Sequence, residues 1–381
     1  MSALPAQLGE SEELVLFRAG ARRFLDVEFV PHLEQWRQSG GVPRAFFKLA
    51  GTQGLLCPNV PEKYGGPGGD FRFNVVVNEE MAKSGVMPVS FAVHSDIVAN
   101  YILNWGSEEQ KARWLPAMVS GEILAAIAMT EPDAGSDLQS IRTAARRSGD
   151  TYVIEGSKTF ITNGANCDLI VVVAKTDPKA GSRGISLFLV DASLPGVRRG
   201  RKLMKMGGRE QDTAELFFDS VVVPESARLS DEGAGFRILM SELPRERLSI
   251  AVSAVAASEF ALELTLAYVK SRKAFGKPII EFQNTAFRLA ELRAHIHMAR
   301  AYVDACVERL IAGRFSAVDG AEAKLVTTQL QCRVVDECLQ FHGGNGWMDE
   351  YVISRLYADA RVQRIYGGTD EILKLVISRS L

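Results

Sequence analysis

Apolar residues recur at helical spacing through the first third of the chain. Leu14, Phe17, Ala21 and Phe24 fall three or four positions apart, the period of one buried helix face. Trp36 and the cluster Phe46, Phe47 and Leu49 carry this helical, apolar-faced region onward. Residues 58–70, with four glycines and three prolines, break it as an ordered loop. A phosphate cradle is the other use of such a loop, but the helix-opening Gly-Lys-Ser/Thr ending is absent. Helical patterns resume over residues 73–83 and 96–105. Ser107-Glu108-Glu109-Gln110 then reads as an N-cap with an acidic first turn. It opens a helix through residue 119 that Ser120-Gly121 stops.

The pattern changes near residue 122. Short apolar, β-branched runs at residues 169–174, 185–190 and 216–223 predict strands. Gly181–Gly184 and Pro195-Gly196 read as turns. After about Gly233 the helices return and lengthen. Leu248, Val252, Val255, Leu262, Leu266 and Val269 mark one buried stripe. Leu289, Leu292, Ile296 and Val303 mark a second, and Ala323, Val326, Leu330 and Val334 a third. Residues 349–357 and 370–376 complete the set. Long amphipathic helices joined by short loops predict a bundle. The chain thus divides as α (1–122), β (123–232) and α (233–381), without internal repeat or low-complexity segment.

Composition narrows the class. At 381 residues with net charge −2, the chain is long enough for two or three domains, and its charge balance points to no nucleic-acid or strongly anionic partner. No run approaches the roughly 18 uninterrupted apolar residues of a membrane span. Residues 1–13 are acidic and lack a basic-then-apolar leader pattern, so a cytoplasmic location is expected. The five cysteines, Cys57, Cys167, Cys306, Cys332 and Cys338, are scattered and form no C-x-x-C pair; reduced, incidental thiols are expected. His94, His295, His297 and His342 show no metal-ligand spacing. The basic run Arg198-Arg199-Gly200-Arg201-Lys202 reads first as a solvated loop face and second as an attraction for the phosphates of a ligand.

Two blocks carry candidate chemistry. Thr130-Glu131-Pro132-Asp133-Ala134-Gly135-Ser136-Asp137 packs small residues and hydroxyls into one loop. Small side chains there leave backbone N–H groups open to a ligand. Gly156-Ser157-Lys158-Thr159-Phe160-Ile161-Thr162-Asn163-Gly164 follows an extended stretch at residues 152–154 and reads as a turn leading into a second strand. It sets an aromatic face beside a hydroxyl, which suits one edge of a flat heterocycle. By composition alone, a Gly/Ser turn and an ordinary hairpin are the simpler reading.

In this order the two blocks resemble the flavin-loop signature of the acyl-CoA dehydrogenase family. The likeness runs from about Glu13 to the C-terminus and is strongest for the long-chain branch. It implies a mixed α and β fold: an N-terminal helical domain, a middle β-barrel or sandwich and a C-terminal four-helix bundle, with FAD between the last two. It also implies FAD-dependent α,β-dehydrogenation of an acyl-CoA thioester in fatty acid oxidation, on a long-chain or branched substrate.

That chemistry sets requirements. The Cα–H is a weak acid, so the thioester carbonyl needs donors that favour the enolate-like state. The base must be a carboxylate shielded from water, which moves its pKa toward neutrality. Many members resembling this chain carry the base in a Tyr-Glu-Gly-Thr motif. Here the motif reads Tyr366-Gly367-Gly368-Thr369, and glycine has no carboxylate. The long-chain and isovaleryl-type branches use a bundle-helix glutamate before an arginine, which matches Glu246 in Leu243-Pro244-Arg245-Glu246-Arg247. Residue chemistry alone does not separate Glu246 from Glu242 one turn earlier, or from a surface ion-pair residue.

The resemblance assigns the other sites by motif. Ile127, Ala128, Met129, Thr130 and Ser136, with Phe160, Ile161 and Thr162, are expected to contact FAD, Ser136 also lying near CoA. Phe160 stands where many relatives have tryptophan. Arg272, Phe275 and Gln283 match a second flavin motif, with Arg272 suited to the pyrophosphate by its planar fork. Gln340, Gly343 and Gly344 match a third. These two motifs reach a neighbouring subunit's flavin in the family, implying a homo-oligomer, typically a tetramer. Thr369, Asp370 and Glu371 match a last flavin-contacting turn, with Asp370 replacing the usual amide. Arg247, Gly367 and Gly368 are expected at the substrate, Gly367 through its N–H. An electron-transferring flavoprotein is the expected acceptor. An acyl-CoA oxidase or flavin monooxygenase on the same fold, and a non-catalytic flavin- or acyl-CoA-binding protein, are the alternatives. Oxygen consumption marks the former and absence of flavin reduction the latter.

Overall fold

The computed structural model describes residues 11–381. Most of the N-terminal stretch whose composition argued against a leader, residues 1–10, lies outside them. Seven helices come first: α1 (Glu12–Glu28), α2 (Leu33–Ser39), α3 (Arg44–Thr52), α4 (Phe71–Lys83), α5 (Val89–Ala92), α6 (Ala99–Trp105) and α7 (Glu108–Val119). Ser11 caps α1 through Leu14 N–H, and Ser107 with Gln110 forms a capping box on α7. Leu14, Ala21 and Phe24 are buried as the spacing requires. Phe24, Phe29, Trp36, Phe46, Phe47 and Phe91 pack ring on ring with centroids 5.1–6.4 Å apart. Leu49, expected in this cluster, instead faces solvent.

The helix expected from residue 96 begins earlier and is irregular. Between α5 and α6 the backbone widens into a π-helical stretch, Val93–Val98. Its buried polar residues all find partners. His94 joins Met118 O and Ala125 N, Ser95 accepts from Cys57 N, and Asp96 accepts from Asn74 and Asn78 at 2.6 and 2.7 Å. The wider turn splays three consecutive polar side chains toward three different elements.

The middle stretch holds β1 (Ala125–Ala128), β2 (Ala144–Ser148), β3 (Thr151–Thr162), β4 (Leu169–Lys175), β5 (Ile185–Asp191), β6 (Val197–Lys202), β7 (Thr213–Pro224) and β8 (Arg228–Leu229). They link in the order β6-β7-β3-β2-β4-β5-β8, with β1 parallel to β4. A single residue pair, Ala144 with Lys175, joins β2 to β4. The two halves fold over a shared core containing Ile154, Ile161, Leu216 and Phe218 from one and Ile170, Val172, Phe188 and Val190 from the other. The alternate residues Leu169, Val171, Val173, Leu187 and Leu189 join the core of the N-terminal helices. Being covered on both faces, β4 and β5 read as unbroken apolar runs rather than alternating ones.

Two expectations change here. Residues 152–162 form one long strand, with register shifts between Ile154 and Gly156 and between Lys158 and Ile161 replacing the expected turn. The basic run is an edge strand, β6, not a loop. Arg198 and Arg201 pair with Asp219 and Glu215 of its neighbour, and charge on an edge discourages further strand pairing.

The last stretch contains α8 (Gly235–Ser271), a β9–β10 hairpin (Lys273–Ala274, Lys277–Pro278), α9 (Gln283–Ile311), α10 (Ala317–His342), α11 (Val352–Gln363) and α12 (Asp370–Ser378). Helix α8 is the axis. It is long and apolar enough to cross a membrane by length and composition, but most of its apolar window is buried inside the protein. Gly320 of α10 packs so closely on the Pro244 backbone that a Cβ there would sit 2.8 Å from it, bringing the two helices together beside Glu246. Val326, expected in the α10 stripe, is half exposed, and α11 starts at Val352 rather than at 349. A charged web ties the first and last stretches. Arg300 of α9 binds Glu79 of α4 and Glu259 of α8, and Arg18 of α1 holds Glu79 at 2.7 Å. The five cysteines are free thiols, and no cluster of metal-ligating side chains occurs among the described residues.

Candidate active site

The two motif blocks, separated by 18 residues, meet in the middle sheet. Ile127 and Ala128 lie on β1, and Met129 and Thr130 continue from its end. Thr159 N–H on β3 donates to Thr130 O at 2.9 Å. Lys158, fully buried, donates to Met129 O and to Glu131 Oε1, both at 2.9 Å. Glu131 also accepts from the N–H groups of Arg142 and Thr143. Burial pushes the Lys158 ammonium down to about 8 against the pull of Glu131. Burial also raises Glu131, but Lys158 and the amide donors outweigh it and hold the carboxyl below its ordinary value. This pair clamps the loop carrying Met129 and Thr130. It stood inside the quoted motifs without a role, and its opposite charges were the available signal.

Past the clamp, β3 bulges. Phe160 takes φ +59° and leaves its ring 68% exposed, while Ile161 is buried and Thr162 half-buried. A large aromatic held in a strained backbone and turned outward is unusual without a partner surface. Ser136 is exposed on the loop beyond the Glu131–Ala134 turn.

The second and third motifs gather elsewhere, around a cleft of about 320 Å³ lined by Tyr268, Arg272, Ile279, Gln340, Phe341, His342, Gly343, Gly344 and Asn345. Tyr268 stacks on His342 at 4.3 Å and accepts from Asn345 Nδ2. No residue of the middle sheet lines this cleft. Phe275, on the adjacent hairpin, has φ +52° and is 95% exposed; Gln283 opens α9 on the surface.

The carboxylates sit on α8 against α6. Glu246 is buried, and its Oε1 accepts from Tyr101 Oη at 2.9 Å. Oε2 has no protein partner among the described residues. Burial raises the Glu246 carboxyl to about 7, with Tyr101 and Arg247 pulling down and Glu242 pushing up. Glu242 is engaged differently. It accepts from Trp105 Nε1 at 2.7 Å and from Asn104 Nδ2 at 3.1 and 3.3 Å. Arg247, expected at the substrate, is buried, and its Nε donates to Gly367 O at 3.0 Å. Lys324 of α10 donates to Gly368 O at 2.8 Å. The Gly367–Gly368 turn is thus held by two cations. Gly367 has φ +64°, and a Cβ there would meet Ile250 at 2.8 Å. The next residue but one, Thr369, caps α12. Asp370 was expected at the cofactor. It is buried; its Oδ2 accepts from Arg364 and Gln329, and its Oδ1 has no partner among the described residues. Glu371 is exposed. Tyr101, Trp105, Asn104 and Lys324 escaped the sequence reading. Tyr101 lies 145 positions from Glu246, and no local pattern marks such a pairing.

The sequence matches the acyl-CoA dehydrogenase N-terminal domain over residues 11–122, the middle domain over 126–221 and the C-terminal domain over 233–381. The chain belongs to the acyl-CoA dehydrogenase family. It is 49% identical to the mitochondrial long-chain specific acyl-CoA dehydrogenase of Mus musculus, over 97% of this chain and 87% of that one. The crystal structure of an acyl-CoA dehydrogenase from Geobacillus kaustophilus superposes with a TM-score of 0.97 at 48% identity, covering 98% of this chain and 99% of that one. A glutaryl-CoA dehydrogenase from Mycobacterium smegmatis, solved in complex with FADH2, superposes with a TM-score of 0.91 at 29% identity, covering 97% and 95%. The protein is an acyl-CoA dehydrogenase and its cofactor is FAD. The dehydrogenase's own residues fit that cofactor. Phe160 offers an uncovered aromatic face at a strained bulge, and Arg272 lines the glycine-edged cleft with a guanidinium, a group that suits a phosphate.

Proposed function

We propose that this dehydrogenase oxidises long-chain or branched acyl-CoA thioesters, with Glu246 as the base that takes the Cα proton. The observation that carries this reading is the buried Glu246 with one oxygen bonded and the other free, on the α8 face that meets the Gly367–Gly368 turn. Ile250, one turn on from Glu246, touches that turn, so the carboxylate and the Gly367 N–H address one small volume. Burial sets the base near neutrality, where it is both ionised and strong enough to act. Arg247 and Lys324 hold the turn so that Gly367 N–H can donate to the thioester carbonyl. Bound FAD supplies the hydride acceptor at N5 for Cβ.

The same arrangement favours Glu246 over Glu242, whose carboxylate is tied by Trp105 and Asn104. On chain length, a cavity of about 10 Å³ lies farther along α8, lined by Ala82, Val86, Met87, Pro88, Ser253, Ala257 and Leu356 with the polar Gln331, Asp359 and Gln363. Ser253 and Ala257 are seven and eleven residues past Glu246, on the same helix face and about 10–16 Å along the axis. An acyl chain laid along that face would run toward it, and the long-chain reading is supported by the 49% identity to the long-chain specific enzyme of Mus musculus. Arg272, Phe275, Gln283, Gln340, Gly343 and Gly344 bind the flavin of a neighbouring subunit in a homo-oligomer, which would also cover the exposed Phe275 ring. Thr130, Ser136, Phe160 and Thr162 bind the subunit's own. An electron-transferring flavoprotein takes the electrons.

The test is an anaerobic titration with short, long and branched acyl-CoAs. The wild-type flavin band bleaches, most readily with long or branched thioesters. Glu246→Gln keeps its flavin and bleaches roughly 10²–10⁴-fold more slowly. A Glu246→Gln enzyme of near-normal rate overturns the base assignment, and preference for short straight chains overturns the substrate class.

A further inference from the structure

The carboxylate of Glu246 is not held by its own helix. Its one hydrogen bond crosses to α6, where Tyr101 Oη donates to Oε1 at 2.9 Å. Tyr101 is wholly buried, so the hydroxyl has no water to compete for it. A tyrosine placed there for packing alone would leave its hydroxyl facing apolar atoms, which costs stability unless a partner is found. The partner it finds is the group proposed to react. Three and four residues farther along, the same short helix turns Asn104 and Trp105 onto Glu242. Helix α6 therefore supplies a separate donor set to each of the two α8 carboxylates.

We propose that Tyr101 is a positioning residue for proton abstraction: it fixes Glu246 by Oε1 so that Oε2 alone faces the substrate Cα, and it keeps the carboxylate ionised before substrate enters. This rests on the assignment of Glu246 as base. A glutamate side chain has three rotatable bonds. Anchoring one oxygen removes most of that freedom before the reaction, which is worth more than the hydrogen bond alone because the free oxygen then starts near its attack position. The donor also favours the charged form of its acceptor.

The charged and titratable groups around Glu246 give the inference a sign. From α6 comes Tyr101. From α8 come Glu242 and Arg247. From α10 comes Lys324, lying against the Gly367–Gly368 turn. Among these, Tyr101 and Arg247 stabilise the ionised carboxylate and Glu242 opposes it. Removing the Tyr101 hydroxyl moves the Glu246 titration up. Removing the Glu242 charge moves it down. The base works ionised, so the acid limb of the kcat/KM profile follows that titration.

The experiment compares pH profiles of wild-type holoenzyme, Tyr101→Phe and Glu242→Gln on one acyl-CoA, with the kinetic isotope effect from α-deuterated substrate. Tyr101→Phe keeps the ring and loses one oxygen, and its flavin spectrum and melting temperature report whether the fold is intact. The expected result is an acid limb raised by about one pH unit, a kcat/KM roughly tenfold lower at pH 7, and a larger isotope effect on kcat. Glu242→Gln, which keeps a group for Trp105 and Asn104 to bond, shifts the limb downward. A Tyr101→Phe enzyme with an unmoved limb and an unchanged isotope effect overturns the inference, whatever its stability. Glu246→Gln, run alongside, separates the two readings. If it is active, the base assignment has failed; if it is inactive while Tyr101→Phe behaves as wild type, only the positioning role has failed.

Discussion

At the residue scale the proposed site turns on Gly367 and Glu246. The family resemblance implies a base at the Gly367 position in many members, and the backbone there shows why no side chain belongs in this chain. The left-handed φ and the contact with Ile250 both resist a Cβ. The missing carboxylate was legible from the letters of the Tyr-Gly-Gly-Thr motif. The steric reason was not, because Ile250 lies on a helix more than a hundred residues away. Gly367→Ala is expected to cost ~1–2 kcal/mol from backbone strain and to move the turn that Arg247 and Lys324 hold. Thermal melting reads the first effect. A raised KM with flavin content unchanged reads the second.

At the element scale, β3 and α8 do most of the organising. The chain around Phe160 reads as a turn between two strands, because Gly156 and the polar residues after it imitate one. The structure keeps a single strand and absorbs the irregularity as two register shifts. The difference matters. A turn would reverse the chain, whereas the bulge keeps Lys158 pointing inward onto Glu131 and turns Phe160 outward. Lys158→Met is therefore expected to leave Glu131 buried without its cation, at ~3–5 kcal/mol, and to free the Met129–Thr130 loop. The check is the ratio of flavin to protein absorbance after gel filtration, which falls well below that of the wild type while the far-ultraviolet spectrum stays the same. Helix α8 was visible as a long apolar stripe. Its polar side chains were not assignable from that stripe, since Glu242 and Glu246 share one face and only the α6 donors tell them apart.

At the scale of the whole molecule, the first and last helical stretches are joined through ion pairs as well as apolar contact. Glu79 is completely buried. Burial raises its carboxyl, but Arg300 and Arg18 more than offset this and hold it below the ordinary value of 4.5. A carboxyl depressed in the folded state contributes stability above its unfolded value and loses it as pH falls through the folded one. Glu79→Gln should thus destabilise by ~3 kcal/mol near neutrality, with the gap from wild type closing below pH 4.5. Denaturant titrations at pH 7 and pH 4 test this, and a gap that does not narrow refutes it. What the sequence determined by itself is what depends on local order: the succession of helices, strands and helices, the cap at Ser107, and the motif blocks that carry the family likeness. Periodicity and capping involve residues within a few positions of each other, so they survive in one dimension. What only the tertiary structure decided is which buried charges answer one another: Lys158 with Glu131, Tyr101 with Glu246, Lys324 with Gly368, Asp370 with Arg364, and Arg300 with Glu79. Most of these partners lie dozens of residues or more apart. Each pairing is imposed by exclusion of water, because a buried polar group must satisfy itself from whatever the packing of distant elements places within reach.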